Sequence, residues 1–250
     1  MPFLYIEPRS KVGVDPRIES DTYSWPPRRS KFSRTEVAHI TVAVAVLTAA
    51  FCMLFRGSSN NPDYFTFRDL VEIDYGGAWV VAFVGIIFVI TALSFLGHEF
   101  GHKFVAQGRG CWSEFRIYPM GLMLTLITSV FGFLIAMPGA VYISGRITDE
   151  DNGKISVAGP LVNIVLSLAT LLCLQFFNWG VLGAALQITF SLNAILAVFN
   201  LIPIGPLDGA KVLRWSTPVW IAMIAIAGME LAAFYLQLYP DITVSRRGIA

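Results

Sequence analysis

Five stretches of the chain run nearly without charge for about the 20 residues a helix needs to cross a bilayer. They lie at roughly 37–55, 77–105, 156–177, 181–203 and 217–238. The second includes GAWVVAFVGIIFVITALSFLG, Gly77–Gly97, which has no charged side chain. A sixth apolar stretch, 120–136, is shorter and lies between Pro119 and Pro138. On either side of it, EFRIYP (Glu114–Pro119) and AVYISG (Ala140–Gly145) alternate as strands do. The pattern predicts an all-α integral membrane protein: a polytopic helical bundle of five or six membrane segments with a small β-hairpin or sheet. The membrane domain spans 36–240, after a polar, flexible arm at 1–35 and before a short tail at 241–250.

Orientation follows from Lys and Arg near the ends of the spans. Arg28, Arg29, Lys31 and Arg34 precede the first stretch and place the N-terminus in the cytoplasm. Lys103, Arg109 and Arg116 follow the second, and Lys211 and Arg214 follow the fourth, as an inward-facing end requires. Arg246 and Arg247 go against this pattern. If 120–136 crossed as well, every later segment would invert and Lys211 would lie outside. The charges therefore favour a non-spanning 120–136, held where protein or water can satisfy its backbone.

Composition agrees. The 250 residues are 55% hydrophobic and 14% charged, against about 25% charged in soluble domains. A net charge of +1 gives no electrostatic case for a nucleic-acid partner. The arm holds seven basic and four acidic residues and no apolar run, so no cleavable signal peptide is expected. Cys52, Cys111 and Cys173 form no metal-type spacing and no disulfide framework.

Against this background HEFGH, His98–His102, is out of place. Residues i and i+4 share a helix face, so His98 and His102 can present two imidazoles to one metal ion, with Glu99 beside it as a candidate general base. The competing reading is a pair of hydrogen-bonded core histidines or a proton relay, yet ionisable groups in membrane segments tend to be functional. A hydrolytic zinc site uses three protein ligands and keeps one position for water. Val105 and Gly108 exclude the extended histidine pattern, and His39 sits near the charged flank of the first span. Asp208 fits better. It lies in NLIPIGPLDGAKVLRW, Asn200–Trp215, where two prolines break a helix at the same membrane face as the histidines. An Asp-Gly turn with no metal role is the alternative for Asp208. Glu230 is a further acid in an apolar run, open to a gating or helix-contact role.

HEFGH, AGPLVN (Ala158–Asn163) and NLIPIGPLDG (Asn200–Gly209), in this order, resemble the site-2 protease family of intramembrane zinc metalloproteases. The resemblance covers about 77–215 and is nearest to prokaryotic or archaeal members without PDZ or CBS domains. It implies one zinc ion held by His98, His102 and Asp208, with Glu99 as the catalytic group. It implies that Asn163 and Asn200 position the substrate backbone or stabilise an oxyanion; ordinary interhelical hydrogen bonding is the alternative for both. Asn193 has no counterpart. The implied activity is cleavage of transmembrane protein substrates near the cytoplasmic face of the cell membrane. Two other readings stay open: a zinc-binding transporter or channel, and an inactive relative that binds membrane proteins.

Overall fold

The computed structural model describes residues 5–6, 32–54, 77–145 and 147–238. In chain order the elements are β1 Tyr5–Ile6, α1 Arg34–Leu54, α2 Gly77–Thr91, a π-helical turn Ala92–Leu96 and α3 Gly97–Gly108. Then follow β2 Trp112–Ile117, α4 Pro119–Val130, β3 Gly139–Ser144, α5 Asp149–Leu174, α6 Gly180–Leu201, α7 Asp208–Trp215 and α8 Thr217–Tyr235. Among the described residues five helices are long and apolar enough to cross a membrane: Arg34–Leu54, Val80–Gly108, Asp149–Leu174, Gly180–Leu201 and Thr217–Tyr235. They answer to the five stretches seen in the sequence. The third starts earlier than hydropathy suggests because Thr148 and Asp151 form a capping box, each side chain taking the other's backbone amide. Exposed apolar side chains such as Val81, Phe88, Leu172 and Met229 stud the outer faces, as lipid contact requires.

The sixth stretch does not cross. α4 has 12 residues, about 18 Å of helix, against about 30 Å of hydrocarbon. The chain then returns along α4 in extended form. Thr128 Oγ1 accepts from the Ile135 amide and Thr125 Oγ1 from the Met137 amide, both at 3.1 Å. The return closes where Tyr118 N–H donates to Pro138 O at 3.0 Å. Two threonines thus satisfy backbone that lipid would leave bare.

β2 and β3 pair antiparallel, with Phe115 opposite Val141, and β1 lies parallel to β3, with Tyr5 opposite Tyr142 and Ile6 opposite Ile143. The outer edge of β2 is sealed by a buried ion pair. Lys103 Nζ lies 2.7 and 2.8 Å from the two Glu36 oxygens and donates to Ser113 O, while Glu36 Oε1 accepts from the Phe115 amide. Both side chains are almost fully buried, at 0% and 1% exposure. Lys103, read above as an inner-face charge, is therefore an internal bond between α1, α3 and β2, and marks no aqueous surface. The same bonds fix the polarity of the hairpin. Backbone groups of successive residues point to opposite edges. Because Phe115 points away from β3, its partner Val141 points away from β2. Gly139 and Ile143, two residues either side, do the same, so these groups of β3 face the edge along which β1 lies.

Candidate metal centre

α5 is the central helix, packed on α3, α6, α7 and α8. Two glycines let the backbones of α3 and α5 close together. A Cβ on Gly101 would stand 2.8 Å from Ala158 O, and one on Gly159 would press on the His102 ring and stand 2.7 Å from His98 Nε2. Pro160 follows inside α5 and leaves the i−4 carbonyl, that of Ser156, without its helical donor.

Both imidazoles are oriented through Nδ1. His98 Nδ1 lies 2.6 Å from Asn163 Oδ1, and His102 Nδ1 lies 2.7 Å from Ile155 O. Neither partner can donate in this geometry, so each Nδ1 carries the proton and each Nε2 keeps a free lone pair. Those two Nε2 atoms are 3.1 Å apart. Asp208 Oδ2 lies 3.4 Å from the first and 3.0 Å from the second. A tetrahedral zinc with ligands at about 2.0–2.1 Å spaces them about 3.3 Å apart. Donor types, spacing and tautomers all fit zinc. His98, His102 and Asp208 are each buried, and they form the one such cluster among the described residues.

Asp208 is delivered by the first turn of α7, after the Pro203 and Pro206 break. Its second oxygen, Oδ1, faces Lys211 Nζ at 3.7 Å. Burial alone would raise the Asp208 carboxyl, but the neighbouring His102 and His98 imidazoles and the Lys211 charge hold it below the usual carboxylate range. Burial pushes the Lys211 ammonium down, opposed by Asp208 and Glu99. Glu99 is 1% exposed, and neither of its oxygens has a hydrogen-bond partner among the described residues. The Val141 amide, on the outer edge of β3, is turned towards it.

The remaining predicted residues are placed as follows. Asn163 is fully buried; besides meeting His98, its amide donates to Ser94 O at 3.1 Å and to Asn193 Oδ1 at 2.8 Å. Asn200 ends α6 with its amide donating to Leu196 O at 2.9 Å. Glu230 is buried on α8 facing Ser167, eight residues along α5 from Gly159, or about 12 Å of helix. His39 lies on α1 and is not part of the cluster. Asn193, which the motifs do not point to, donates to Ser94 Oγ at 2.9 Å and so links α6 to the π-turn ahead of HEFGH. Its spacing of seven from Asn200 on an apolar helix was the available signal, since that spacing puts both on one face.

Comparison with known proteins gives the family. The chain is 35% identical over 211 residues, 83% of its length and 96% of the other's, to a Methanocaldococcus jannaschii protein provisionally named a zinc metalloprotease, MJ0611. The profile of peptidase family M50 matches residues 107–225, a range that contains Asp208 but begins after HEFGH. The chain belongs to peptidase family M50. A second M. jannaschii protein, zinc metalloprotease MJ0392, is 32% identical over 133 residues, 53% of this chain and 34% of that one. No solved structure matches the chain at the level of these relatives. This M50 peptidase is thus a zinc metalloprotease of multi-pass helical build, and nothing in the cluster or the comparisons supports the transporter or the inactive relative.

Proposed function

We propose that this M50 peptidase cleaves peptide bonds in or near the transmembrane segments of membrane proteins, at a single zinc held by His98, His102 and Asp208. The observation that carries the reading is the convergence of three buried ligand atoms beside an unpartnered Glu99, inside a bundle whose outer face is apolar. Zinc bound there supplies Lewis acidity, which lowers the pKa of water to about 7 and polarises a carbonyl. The chain's own groups do the rest. Glu99 accepts a proton as water adds to the scissile carbonyl carbon, and returns it to the nitrogen as the carbon–nitrogen bond breaks. Asn163 orients His98. Both of its N–H groups are engaged, so an oxyanion contact from Asn163 would have to break a bond already made. We leave substrate positioning to Asn200 and to β3.

A helical substrate buries the carbonyl that must be attacked. The open edge of β3 solves this by pairing with the substrate as an extended strand beside Glu99. The cytoplasmic N-terminus and a site near the cytoplasmic face are part of the same proposal, carried by Arg28, Arg29, Lys31 and Arg34. The catalytic core at 77–215 lies within the membrane domain 36–240.

The test uses zinc-loaded protein in detergent. Glu99→Gln is expected to keep its zinc by elemental analysis while cleavage of a membrane-embedded reporter falls about 10²–10⁴-fold. Undiminished cleavage in that variant refutes the mechanism.

A further inference from the structure

The sheet has two long strands and, apart from β1, two edges. Glu36 and Lys103 close one, and the other is the outer edge of β3. That edge is not vacant. Tyr5 and Ile6 pair with Tyr142 and Ile143 in parallel. The pairing begins one residue from Val141, whose amide is turned towards Glu99. A segment of the chain's own N-terminal arm therefore lies on the backbone groups that a substrate strand would need.

We propose that the open edge of β3 is a strand-docking surface whose resident occupant is the N-terminal segment containing Tyr5–Ile6, and that this segment competes with substrate. The proposal rests on the protease reading above, because it assigns the occupied edge to the substrate. The chemistry is main-chain pairing, which is tolerant of sequence; any extended peptide that reaches the edge can exchange with the arm. Tyr5 and Ile6 belong to the same chain as β3, so their pairing is intramolecular. A tethered segment behaves as if present at about millimolar concentration, so a strand of millimolar affinity holds the edge about half the time. A substrate must displace it, and its apparent affinity falls by the fraction of time the edge is free. The arm sets a threshold that weakly pairing peptides fail to pass.

Docking and competition are measured separately. In a background carrying Cys52→Ala, Cys111→Ala and Cys173→Ala, the pair Tyr5→Cys and Tyr142→Cys should crosslink with a short bismaleimide. A control pair, Tyr5→Cys and Leu182→Cys, should not. Removal of residues 2–8 should raise kcat/KM for fluorescein-labelled casein in detergent, by about tenfold if the arm holds the edge nine-tenths of the time. Tyr5→Pro, which removes the β1 amide that faces Val141 and Ile143 without shortening the chain, should do the same. Crosslinking no greater than the control overturns the proposal. So does an unchanged rate on truncation and with Tyr5→Pro in protein that cleaves casein. Crosslinking without cleavage by any form, truncated protein included, counts instead against the protease reading.

Discussion

Gly159→Ala offers a severe test of the metal geometry, because it adds one methyl group and removes nothing. The new Cβ would stand 2.7 Å from His98 Nε2 and closer still to the His102 ring. Ordinary carbon contacts begin near 3.5 Å, so His98 alone would have to retreat by roughly 0.8 Å. Neither imidazole is free to do so, since each is pinned through Nδ1, His98 to Asn163 and His102 to Ile155. Zinc–ligand distances tolerate only about 0.2 Å of error. Both nitrogens cannot stay at bonding distance with the methyl in place. Disturbing a supporting group typically costs 10–100-fold in metal affinity, and here the ligands themselves are displaced. We expect zinc binding at least about 100-fold weaker, which is about 2.8 kcal/mol at 1.4 kcal/mol per decade. The assay is competition for zinc against a fluorescent chelator in detergent, with thermal unfolding of the metal-free proteins run in parallel. Gly85→Ala and Gly228→Ala are the controls, because nothing lies within 4 Å of a Cβ at either place. If Gly159→Ala binds zinc within threefold of wild type, the ion does not sit between His98 and His102 as described.

Other substitutions test the rest of the arrangement. Asp208→Ala removes one of the three proposed ligands and should reduce bound zinc from about one per chain to near zero by elemental analysis; full retention would show that the third ligand is a different residue. Lys211→Met frees Asp208 Oδ1 from its neighbouring charge and should weaken zinc binding about 10–100-fold, with Lys211→Arg closer to wild type in the same chelator assay. Glu36→Gln leaves a buried ammonium without its counter-charge and should cost about 3–5 kcal/mol, read as a lower melting temperature that excess zinc does not restore. Thr125→Val removes the hydroxyl that accepts from Met137 and should expose the returning segment 131–138 to proteolysis in detergent, with zinc content unchanged.

The candidate cluster was legible in the sequence because half of it is local. HEFGH places two nitrogens and a carboxylate by helix geometry alone, and the structure brings Asp208, picked out by its broken helix, to the same two nitrogens. The spans were legible because hydropathy integrates over many residues. Three features were hidden for physical reasons. The Glu36–Lys103 bond joins positions far apart in the chain, and each residue taken alone looks like an ordinary flanking charge, which is how Lys103 came to be read as a topology marker. The bond from Asn163 to His98 Nδ1 was hidden because the residue type allows either a substrate contact or an interhelical bond, and sequence carries no distance. The π-turn at Ala92–Leu96 leaves no compositional mark, since ALSFL would fit an ordinary helix equally well.

The one-sided hairpin bears on hydration. Hydrolysis consumes water, and an apolar bundle gives water little reason to enter. Unpaired backbone groups in hydrocarbon cost several kcal/mol each, so an edge that alternates between two peptide partners must be solvated whenever it is between them. The amides and carbonyls of Gly139, Val141 and Ile143 then act as a wick, and its middle residue, Val141, stands beside Glu99. Exchange of one strand for another on β3 would bring in the second reactant together with the first.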